Sequence, residues 1–306
     1  MARFNNVAVL MGGVSSEREV SLRSGQAVVK GLGEAGYAVT PVVLTREAVD
    51  GLPAGTEAVF LALHGGYGEE GGVQADLDRL GIPYTGAGAV ASRLAMDKIA
   101  TKRCLEAHGV PTAEYEVLAP DATTTHLPLP VVVKPPREGS SVGISRVRQP
   151  AEWAAALAVA RKCDPEVLVE RFIAVREMTV GVVGDETLPV VEIIPAGGWY
   201  GYEAKYLTGD TVYTFLDESA DGAIEARCRE LAQQTVATLG VRGLGRVDFR
   251  VDATGGCFVL ELNSLPGFTA TSLLPKAAAR AGWSFSELCA RIIETAACDA
   301  PPTAGT

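Results

Sequence analysis

Four polar side chains near the C-terminus lie on two stretches that otherwise have the composition of buried strands. Arg246 and Asp248 alternate with Val and Phe in the first stretch, and Glu261 and Asn263 alternate with Leu in the second. Because alternate residues of a strand share one face, each pair points to one side of a sheet. Carboxylate and amide oxygens suit Mg²⁺ bound together with substrate phosphates. An edge strand with solvated charges is the alternative, but polar groups on one face amid apolar neighbours favour a functional site.

A lysine followed by a glycine-rich loop occurs earlier in the chain. Residues 131–143, Val-Val-Val-Lys-Pro-Pro-Arg-Glu-Gly-Ser-Ser-Val-Gly, predict a strand that ends at Lys134, a loop of small residues and a second strand. Backbone N–H groups of such a loop can close over phosphate oxygens, and the lysine supplies a positive charge. The segment has no G-K-[ST] sequence, so it is not a P-loop. Taken alone, it is equally consistent with a plain hairpin.

Three familiar signatures are rejected by their context. Residues 139–143 match the G-x-S-x-G of α/β-hydrolases, but a β-branched stretch follows and every histidine precedes Ser141. Residues 31–36 match G-x-G-x-x-G but close a predicted helix, and residues 86–91 match it without a convincing βαβ unit after them. A turn with close packing explains both glycine patterns better than dinucleotide binding does.

The first third of the chain predicts alternating strands and helices. Strands are expected at 7–11, 37–44 and 58–63, and a capping-box pattern at Ser16 and Glu19 predicts a helix to about residue 32. Apolar strands alternating with helices are typical of a parallel, doubly wound sheet. Ligands of such sheets bind beyond the carboxyl ends of the strands, which here means the loops after Met11 and Leu63.

From Asp97 onward the pattern changes. Asp97 is expected to cap a helix through residue 107, and successive strands with short turns then predict an antiparallel sheet. From Trp199 a long irregular segment that holds six aromatic residues, Trp199 included, extends to about residue 219; such a loop is usually a lid or binding loop. A helix, two strands and two closing helices follow, and the tail from residue 299 is expected to be frayed.

Composition excludes several classes of protein. The 306 residues carry 27 Lys and Arg against 37 Asp and Glu, a net charge of −10, with no basic run, so no nucleic-acid partner is expected. Apolar runs are too short to cross a membrane, and no secretion signal is recognisable. Six scattered cysteines without a C-x-x-C pair, and only three histidines, indicate reduced thiols in a cytoplasmic protein and argue against a zinc site.

The chain resembles the D-alanine–D-alanine ligases of the ATP-grasp superfamily. The matching stretches occur in order over nearly the whole chain: residues 12–21, 63–65, 96–98, 134–143, 202–206 and 246–267. The resemblance implies an α/β fold with three-domain ATP-grasp architecture: an N-terminal parallel α/β domain (1–95) and two α+β domains (96–180 and 181–298) that enclose ATP. It also implies that D-alanyl-D-alanine forms through an acyl phosphate, for peptidoglycan precursor synthesis, and that the protein is a homodimer.

Substrate-binding residues are implied residue by residue. Glu17 would pair with the ammonium group of the first D-alanine, and His64 would lie near the carboxylate of that substrate. Ser272 and Leu273 would meet the carboxylate of the second D-alanine. Without the resemblance, Glu17 would be interpreted as an ordinary first-turn acid and His64 as a structural histidine.

The resemblance also implies catalytic residues. Arg246 and the backbone N–H of Gly267 would face the developing oxyanion. Ser140 and Tyr206 would form hydrogen bonds with Glu17 and tie the lid loops to the first domain.

ATP and metal ligands complete the implied site. Two Mg²⁺ ions, with Mn²⁺ as a possible substitute, would be held by Asp248, Glu261 and Asn263, with Glu261 bridging them. The implied ATP-binding residues are three lysines at the phosphates and five further residues around them and the adenosine: Lys98, Lys134, Lys205, Ser141, Glu170, Phe172, Ile173 and Glu177.

Two other functions fit these residues less well. Another ATP-grasp ligase would act on a different carboxylate and nucleophile, but Glu17, Tyr206 and Ser272 argue against it because they are implied to contact substrate rather than ATP. A regulatory nucleotide-binding module would lack some lysines or metal ligands, and none is missing from the sequence. Relatives that form D-alanyl-D-lactate differ in the aromatic loop, so Lys205-Tyr206 favours D-alanine as the second substrate.

Overall fold

Three β-sheets organise the chain. The computed structural model describes residues 2–201, 209–269 and 271–299. Within them the first sheet has three parallel strands, and the other two sheets, of four and six strands, are antiparallel. The predicted α/β class, and the change from parallel to antiparallel pairing after the first third, are confirmed.

The parallel sheet lies between two helical layers. Its elements are β1 (Asn6–Gly12), α1 (Arg18–Glu34), β2 (Ala38–Leu44), β3 (Ala58–Leu61) and α2 (Gly72–Leu80). The strand order is β2-β1-β3. Alternate residues of β1 are buried on opposite sides, Val9 in the core that contains α1 and Leu10 in the core that contains α2. The sheet is therefore doubly wound, and α2 is a helix that the sequence analysis missed.

Helix α1 begins differently from the prediction. Ser16 and Glu19 predict a capping box, but the N-cap is Glu17, and its side chain makes no capping hydrogen bond. Ser21 anchors the first turn instead, since its Oγ accepts a hydrogen bond from the Gly12 N–H (2.8 Å) and donates one to the backbone just after β3. The capping-box prediction is wrong, and the Glu17 carboxylate extends away from the helix end.

The four-stranded sheet forms the middle of the chain. Its region comprises α3 (Ala89–Met96), α4 (Lys98–Ala107), β4 (Tyr115–Leu118), β5 (Val131–Lys134), β6 (Ser145–Val147), α5 (Trp153–Arg161) and β7 (Val167–Arg171). The strand order is β4-β7-β5-β6, with α5 packed on one face. As predicted, Asp97 caps α4, accepting hydrogen bonds at 3.0 Å from the N–H groups of Ile99 and Ala100.

The glycine-rich loop is longer than the sequence suggested. A strand was expected from residue 142, but β6 begins at Ser145. Ser140, Ser141 and Gly143 have positive φ angles of 52°, 60° and 72°, a left-handed conformation that cannot continue a strand. The chain between β5 and β6 therefore remains a loop through residue 144.

The six-stranded sheet carries all three residues of the predicted metal site. Its elements are β8 (Arg176–Val183), β9 (Glu186–Thr187), β10 (Val191–Ile194), β11 (Val212–Phe215), α6 (Glu218–Thr238), β12 (Leu244–Val251) and β13 (Cys257–Asn263). The order is β11-β10-β8-β12-β13, with β9 paired to β8. Strand β8 is thus central, and the predicted domain boundary at residue 180 falls inside it.

Two helices close the described chain, as predicted. They are α7 (Leu273–Arg280) and α8 (Phe285–Glu294). Helix α8 returns to the first sheet, where Leu288 and Ile292 share a core with Val28 and Leu32 of α1. None of the helices in the described part of the chain is long and apolar enough to span a membrane. The predicted frayed tail lies, apart from Asp299, outside the described residues.

Candidate active site

The polar face of β12 and β13 is built as the alternation predicted. In the antiparallel register Asp248 lies opposite Glu261, and Arg246 lies opposite Asn263. Arg246 donates two hydrogen bonds to Asp248, from Nε (2.9 Å) and Nη2 (2.8 Å), and Asn263 Nδ2 donates a third (3.0 Å). Thr179 on β8 donates a fourth at 2.6 Å. The flanking apolar side chains, Val247 and Phe249 among them, are buried on the other face.

Charge pairing compensates for the burial of these groups. Burial acts to lower the pKa of Arg246, but Asp248 and Glu261 outweigh it and raise that pKa above its usual value. A guanidinium held rigidly by a bidentate carboxylate pair keeps its charge and its orientation.

The oxygen donors of this face fit a hard divalent cation. Among the residues that the structure describes, no group of three or more His, Cys, Asp or Glu side chains is placed to hold a metal ion. The predicted set is instead two carboxylates and one amide, Asp248, Glu261 and Asn263, on facing positions of paired strands. Mg²⁺ in nucleotide sites commonly takes one or two protein carboxylates and fills its other positions with water and phosphate oxygens.

Lys98 joins this face to the glycine-rich loop. It is the first residue of α4, and its Nζ lies 3.5 Å from Glu261 Oε2 and donates a hydrogen bond to the Glu138 carbonyl (2.7 Å). Its side chain is only 7% exposed. A buried ammonium group between a loop and an acidic strand face can neutralise phosphate charge at that point.

The glycine-rich loop also reaches the first domain. Ser140 Oγ donates a hydrogen bond of 2.5 Å to Glu17 Oε1. Glu17 lies in turn against the loop after β3, since a Cβ placed on Gly65 would be 3.0 Å from Glu17 Oε2. Segments that are 123 residues apart in the sequence therefore meet at one carboxylate. The partner predicted for Glu17 from the aromatic loop, Tyr206, lies outside the described residues, as does Lys205.

The loops after β1 and β3 enclose a small cavity, at the edge where ligand binding was predicted. The cavity has a volume of about 130 Å³ and is lined mainly by residues 12–15 and 63–68. His64 is 7% exposed, and its Nε2 lies 3.2 Å from Ser24 Oγ. Its Nδ1 lies 3.8 Å from Glu69 Oε1.

Ser272 and Gly267 meet at the start of α7. Ser272 is the N-cap of this helix, and its Oγ accepts a hydrogen bond from the Thr269 N–H (3.0 Å). A Cβ on Gly267 would lie 3.0 Å from that oxygen, so the turn and the helix end are in close contact. Leu273, the first residue of the helix, has a buried side chain, which leaves its backbone N–H as the group able to contact a ligand.

The predicted adenosine-binding residues surround an arginine that the sequence analysis missed. Arg250 Nε donates to the Ile173 carbonyl (2.9 Å) and Nη1 donates to Glu177 Oε2 (2.8 Å). Its guanidinium also lies 5.3 Å from the centre of the Phe172 ring. Arg250 is two residues beyond Asp248 on β12, so the alternation that identified Asp248 could have included it.

Two further residues near Phe172 were not among the predicted ATP-binding residues, although Trp199 was predicted to belong to the aromatic binding loop. The Trp199 ring lies 6.0 Å from the Phe172 ring, and the Arg146 guanidinium lies 5.1 Å from the centre of each. Nothing in the spacing of Arg146 or Trp199 indicated this contact, because they come from separate elements.

Glu170 lies in a buried ion-pair cluster rather than on an open surface. Its carboxylate is 3% exposed and pairs with both Lys134 and Lys102. Lys134 was predicted from the strand that it ends, whereas Lys102 was not predicted at all.

Comparison with known proteins identifies relatives over nearly the whole chain. A family model described as D-ala D-ala ligase N-terminus matches residues 6–52, and one described as D-ala D-ala ligase C-terminus matches residues 104–294. A D-alanine–D-alanine ligase of Syntrophotalea carbinolica is 46% identical over 293 residues, covering 94% of each chain. That of Laribacter hongkongensis is 44% identical over 302 residues, covering 96% of this chain and 97% of the relative.

This chain belongs to the D-ala D-ala ligase family. Solved structures agree with that assignment: D-alanine–D-alanine ligase of Bacillus anthracis superposes with a TM-score of 0.83 at 33% identity, over 95% of this chain and 97% of that one. A second structure of the Bacillus anthracis enzyme, complexed with ATP, superposes with a TM-score of 0.82 at 32% identity, over 96% of this chain and 97% of that one. The three-domain ATP-grasp fold class that the sequence predicted is thus confirmed, as is the classification of the protein as a ligase.

Proposed function

We propose that this protein joins two D-alanine molecules and cleaves ATP to ADP and phosphate in doing so, for peptidoglycan precursor synthesis. One observation carries the proposal: a continuous series of contacts from Glu261 through Lys98 and the glycine-rich loop to Glu17. The series links the oxygen-rich strands to the cavity beside His64. A ligase that transfers phosphate to a carboxylate needs its nucleotide and its first substrate this close together.

The nucleotide would lie between the four-stranded and six-stranded sheets. Lys98, Lys134 and the predicted Lys205 would contact its phosphates, with Ser141 in the loop above them. Phe172, Ile173 and Glu177 would surround the adenosine side. Glu170, whose buried carboxylate pairs with Lys134, would lie behind the lysines that contact the phosphates. ATP binding is supported by the family and by the ATP complex of the Bacillus anthracis relative.

Two Mg²⁺ ions, or Mn²⁺ in their place, would be held by Asp248, Glu261 and Asn263, with Glu261 between them. Bound there, they would neutralise charge on the transferring phosphoryl group. Asp248 already accepts hydrogen bonds from Arg246, Thr179 and Asn263, which fix its orientation.

The two D-alanine molecules would bind on opposite sides of the reacting carbonyl. Glu17 would hold the ammonium group of the first, beside His64, so that its carboxylate receives the γ-phosphoryl group and becomes an acyl phosphate. The start of α7 at Ser272 and Leu273 would hold the carboxylate of the second.

Attack by the second amine produces a tetrahedral intermediate, which expels phosphate. Arg246 and the Gly267 N–H would stabilise its oxyanion, where one such donor is worth about 2.7–4 kcal/mol. Ser140 and Tyr206 would keep the loops closed on Glu17 and exclude water that would hydrolyse the acyl phosphate. D-alanine rather than D-lactate is the proposed acceptor.

The remaining assignments rest on the family. We propose a cytoplasmic homodimer, with domains at 1–95, 96–180 and 181–298; these limits and the dimer stay predictions.

The test is an assay of purified protein with ATP, Mg²⁺ and one amino acid at a time. D-alanine should give equal amounts of phosphate and of D-alanyl-D-alanine by mass spectrometry, whereas L-alanine should give neither. A second reaction with D-alanine and D-lactate together should give mainly the dipeptide. Preference for D-lactate would overturn the acceptor assignment, and phosphate release without any D-alanine product would overturn the proposed function.

A further inference from the structure

Lys102 is a fully buried lysine that makes none of the ligand contacts proposed above. It lies on α4, one turn after Lys98, and its side chain is 0% exposed. Its Nζ is 2.6 Å from Glu170 Oε1 and donates a hydrogen bond of 2.5 Å to Thr112 Oγ1. A buried ammonium group is costly unless it is paired, so the burial of a lysine at this position calls for a reason.

Glu170 is shared between two ammonium groups. One carboxylate oxygen pairs with Lys102, and the other pairs with Lys134 at the end of β5. Burial alone would raise the pKa of Glu170, but Lys102 and Lys134 outweigh it and hold that pKa below its usual value. Burial lowers the pKa of Lys102, and the nearby Glu170 carboxylate acts against that effect. The cluster therefore holds one carboxylate between two lysine amino groups.

The contacts of Lys102 extend to the strand that carries the metal-type ligands. Thr112 Oγ1 accepts the hydrogen bond from Lys102 and donates one to the Val259 carbonyl (2.8 Å) on β13. The Val259 N–H donates in turn to the carbonyl of Pro111 (2.8 Å). Glu261 is two residues farther along this strand and lies on the polar face.

The arrangement explains how Lys134 can serve a nucleotide phosphate. If Lys134 were the only partner of Glu170, turning toward a phosphate would leave a buried carboxylate without a counter-charge. With Lys102 fixed on the other oxygen, Glu170 remains paired when Lys134 leaves it. Lys102 is itself too deeply buried to reach a ligand.

We propose that Lys102 is a positioning residue that holds Glu170 and so frees Lys134 to bind the phosphates of the nucleotide. This inference rests on the proposed function only in taking the ligand to be a nucleoside triphosphate. It predicts that Lys102 matters for phosphate-bearing ligands and not for the nucleoside alone.

The test compares Lys102→Met, Glu170→Gln and the double variant by equilibrium binding. The probes are a non-hydrolysable ATP analogue with Mg²⁺, and adenosine. Lys102→Met should raise the Kd of the analogue by about tenfold to a hundredfold, the range expected for loss of a charged hydrogen bond, and change that of adenosine less than about twofold. On the Glu170→Gln background, Lys102→Met should have little further effect, because the neutral amide needs no counter-charge.

Lys30→Met is the matched control, since the Lys30 side chain is 79% exposed on α1. It should leave both affinities unchanged. If Lys102→Met raises the Kd of the analogue and the Kd of adenosine equally, Lys102 only supports the fold. That result would overturn the inference. If Lys102→Met alone does not fold, the comparison of Glu170→Gln with the double variant decides. A further loss of affinity for the analogue of more than about tenfold in the double variant would refute the positioning role.

Because these readouts are binding constants, they separate the two proposals. A protein that binds the analogue but forms no D-alanyl-D-alanine would contradict the proposed function and still test Lys102. A protein whose unaltered form binds no analogue would overturn the positioning role.

Discussion

The hydrogen bond between Ser140 and Glu17 offers the sharpest test of the proposed site. Ser140→Ala removes the hydroxyl and leaves the loop backbone with the same side-chain bulk at Cβ. Because alanine and serine both carry a Cβ, the steric cost of the φ angle of 52° at this position is similar for the two. The change therefore acts on the contact rather than on the loop conformation.

The size of the effect follows from the geometry. The bond is 2.5 Å long and its acceptor is a carboxylate, so it belongs to the charge-assisted class, worth about 1.5–3 kcal/mol. Both side chains are partly exposed, which favours the lower end of that range. A loss of about 1.5 kcal/mol corresponds to about a tenfold fall in kcat/KM.

The assay is phosphate release at varied D-alanine and saturating ATP. Ser140→Ala should lower kcat/KM for D-alanine about tenfold and change the KM for ATP less than about twofold. Ser145→Ala, on β6 beside the same loop, is the control and should behave as the unaltered protein. In a double-mutant cycle with Glu17→Gln the two losses should be less than additive. Full additivity, or an unchanged kcat/KM for Ser140→Ala, would refute the reasoning.

Three further predictions concern the metal face, acid stability and the core. Glu261→Gln should abolish phosphate release without changing the circular dichroism spectrum, and turnover at the normal rate would contradict the metal assignment. The hydrogen bond from Arg176 lowers the pKa of Asp221. The ionised Asp221 therefore stabilises the fold in full at pH values above the usual aspartate pKa, and this stabilisation is lost as the pH falls through the lowered pKa. The stability difference between the unaltered protein and Asp221→Asn, measured by urea unfolding, should therefore shrink from about pH 7 to about pH 3; a constant difference would refute this. Phe249→Ala, at a fully buried position, should cost about 3–5 kcal/mol in urea unfolding, and a cost below about 1 kcal/mol would show that β12 is not packed as described.

The sequence predicted the elements whose periodicity is strong. Strands β12 and β13 alternate polar and apolar residues around the site, and their shared polar face follows from that alternation alone. Strands β9 and β11 were missed because they are short and partly exposed, so no buried periodicity distinguishes them from a loop. Helix α2 was missed because its first residue, Gly72, continues a glycine-rich run.

The site was predicted only as far as chemistry is visible in local sequence. Lys134 follows an apolar strand directly, so its position next to a loop could be inferred. Lys102 occupies an ordinary helical position, and only its packing against Glu170 and Thr112 reveals that it is buried. The Ser140–Glu17 bond joins two loops that no periodic pattern connects, and it entered the sequence analysis through the family resemblance alone.

The return of α8 to the first sheet determines which pieces of this chain can exist separately. Gly31 on α1 faces Phe285 and Cys289 so closely that a Cβ would lie 3.0 Å from the phenyl ring, and Ser286 donates a hydrogen bond of 2.9 Å to the Gly31 carbonyl. A recombinant fragment cut after residue 95 would carry α1 with this apolar surface uncovered, and should aggregate or bind dyes that report exposed apolar surface. Chimeras made by exchanging segments between relatives would accordingly fold only when α1 and α8 come from the same parent.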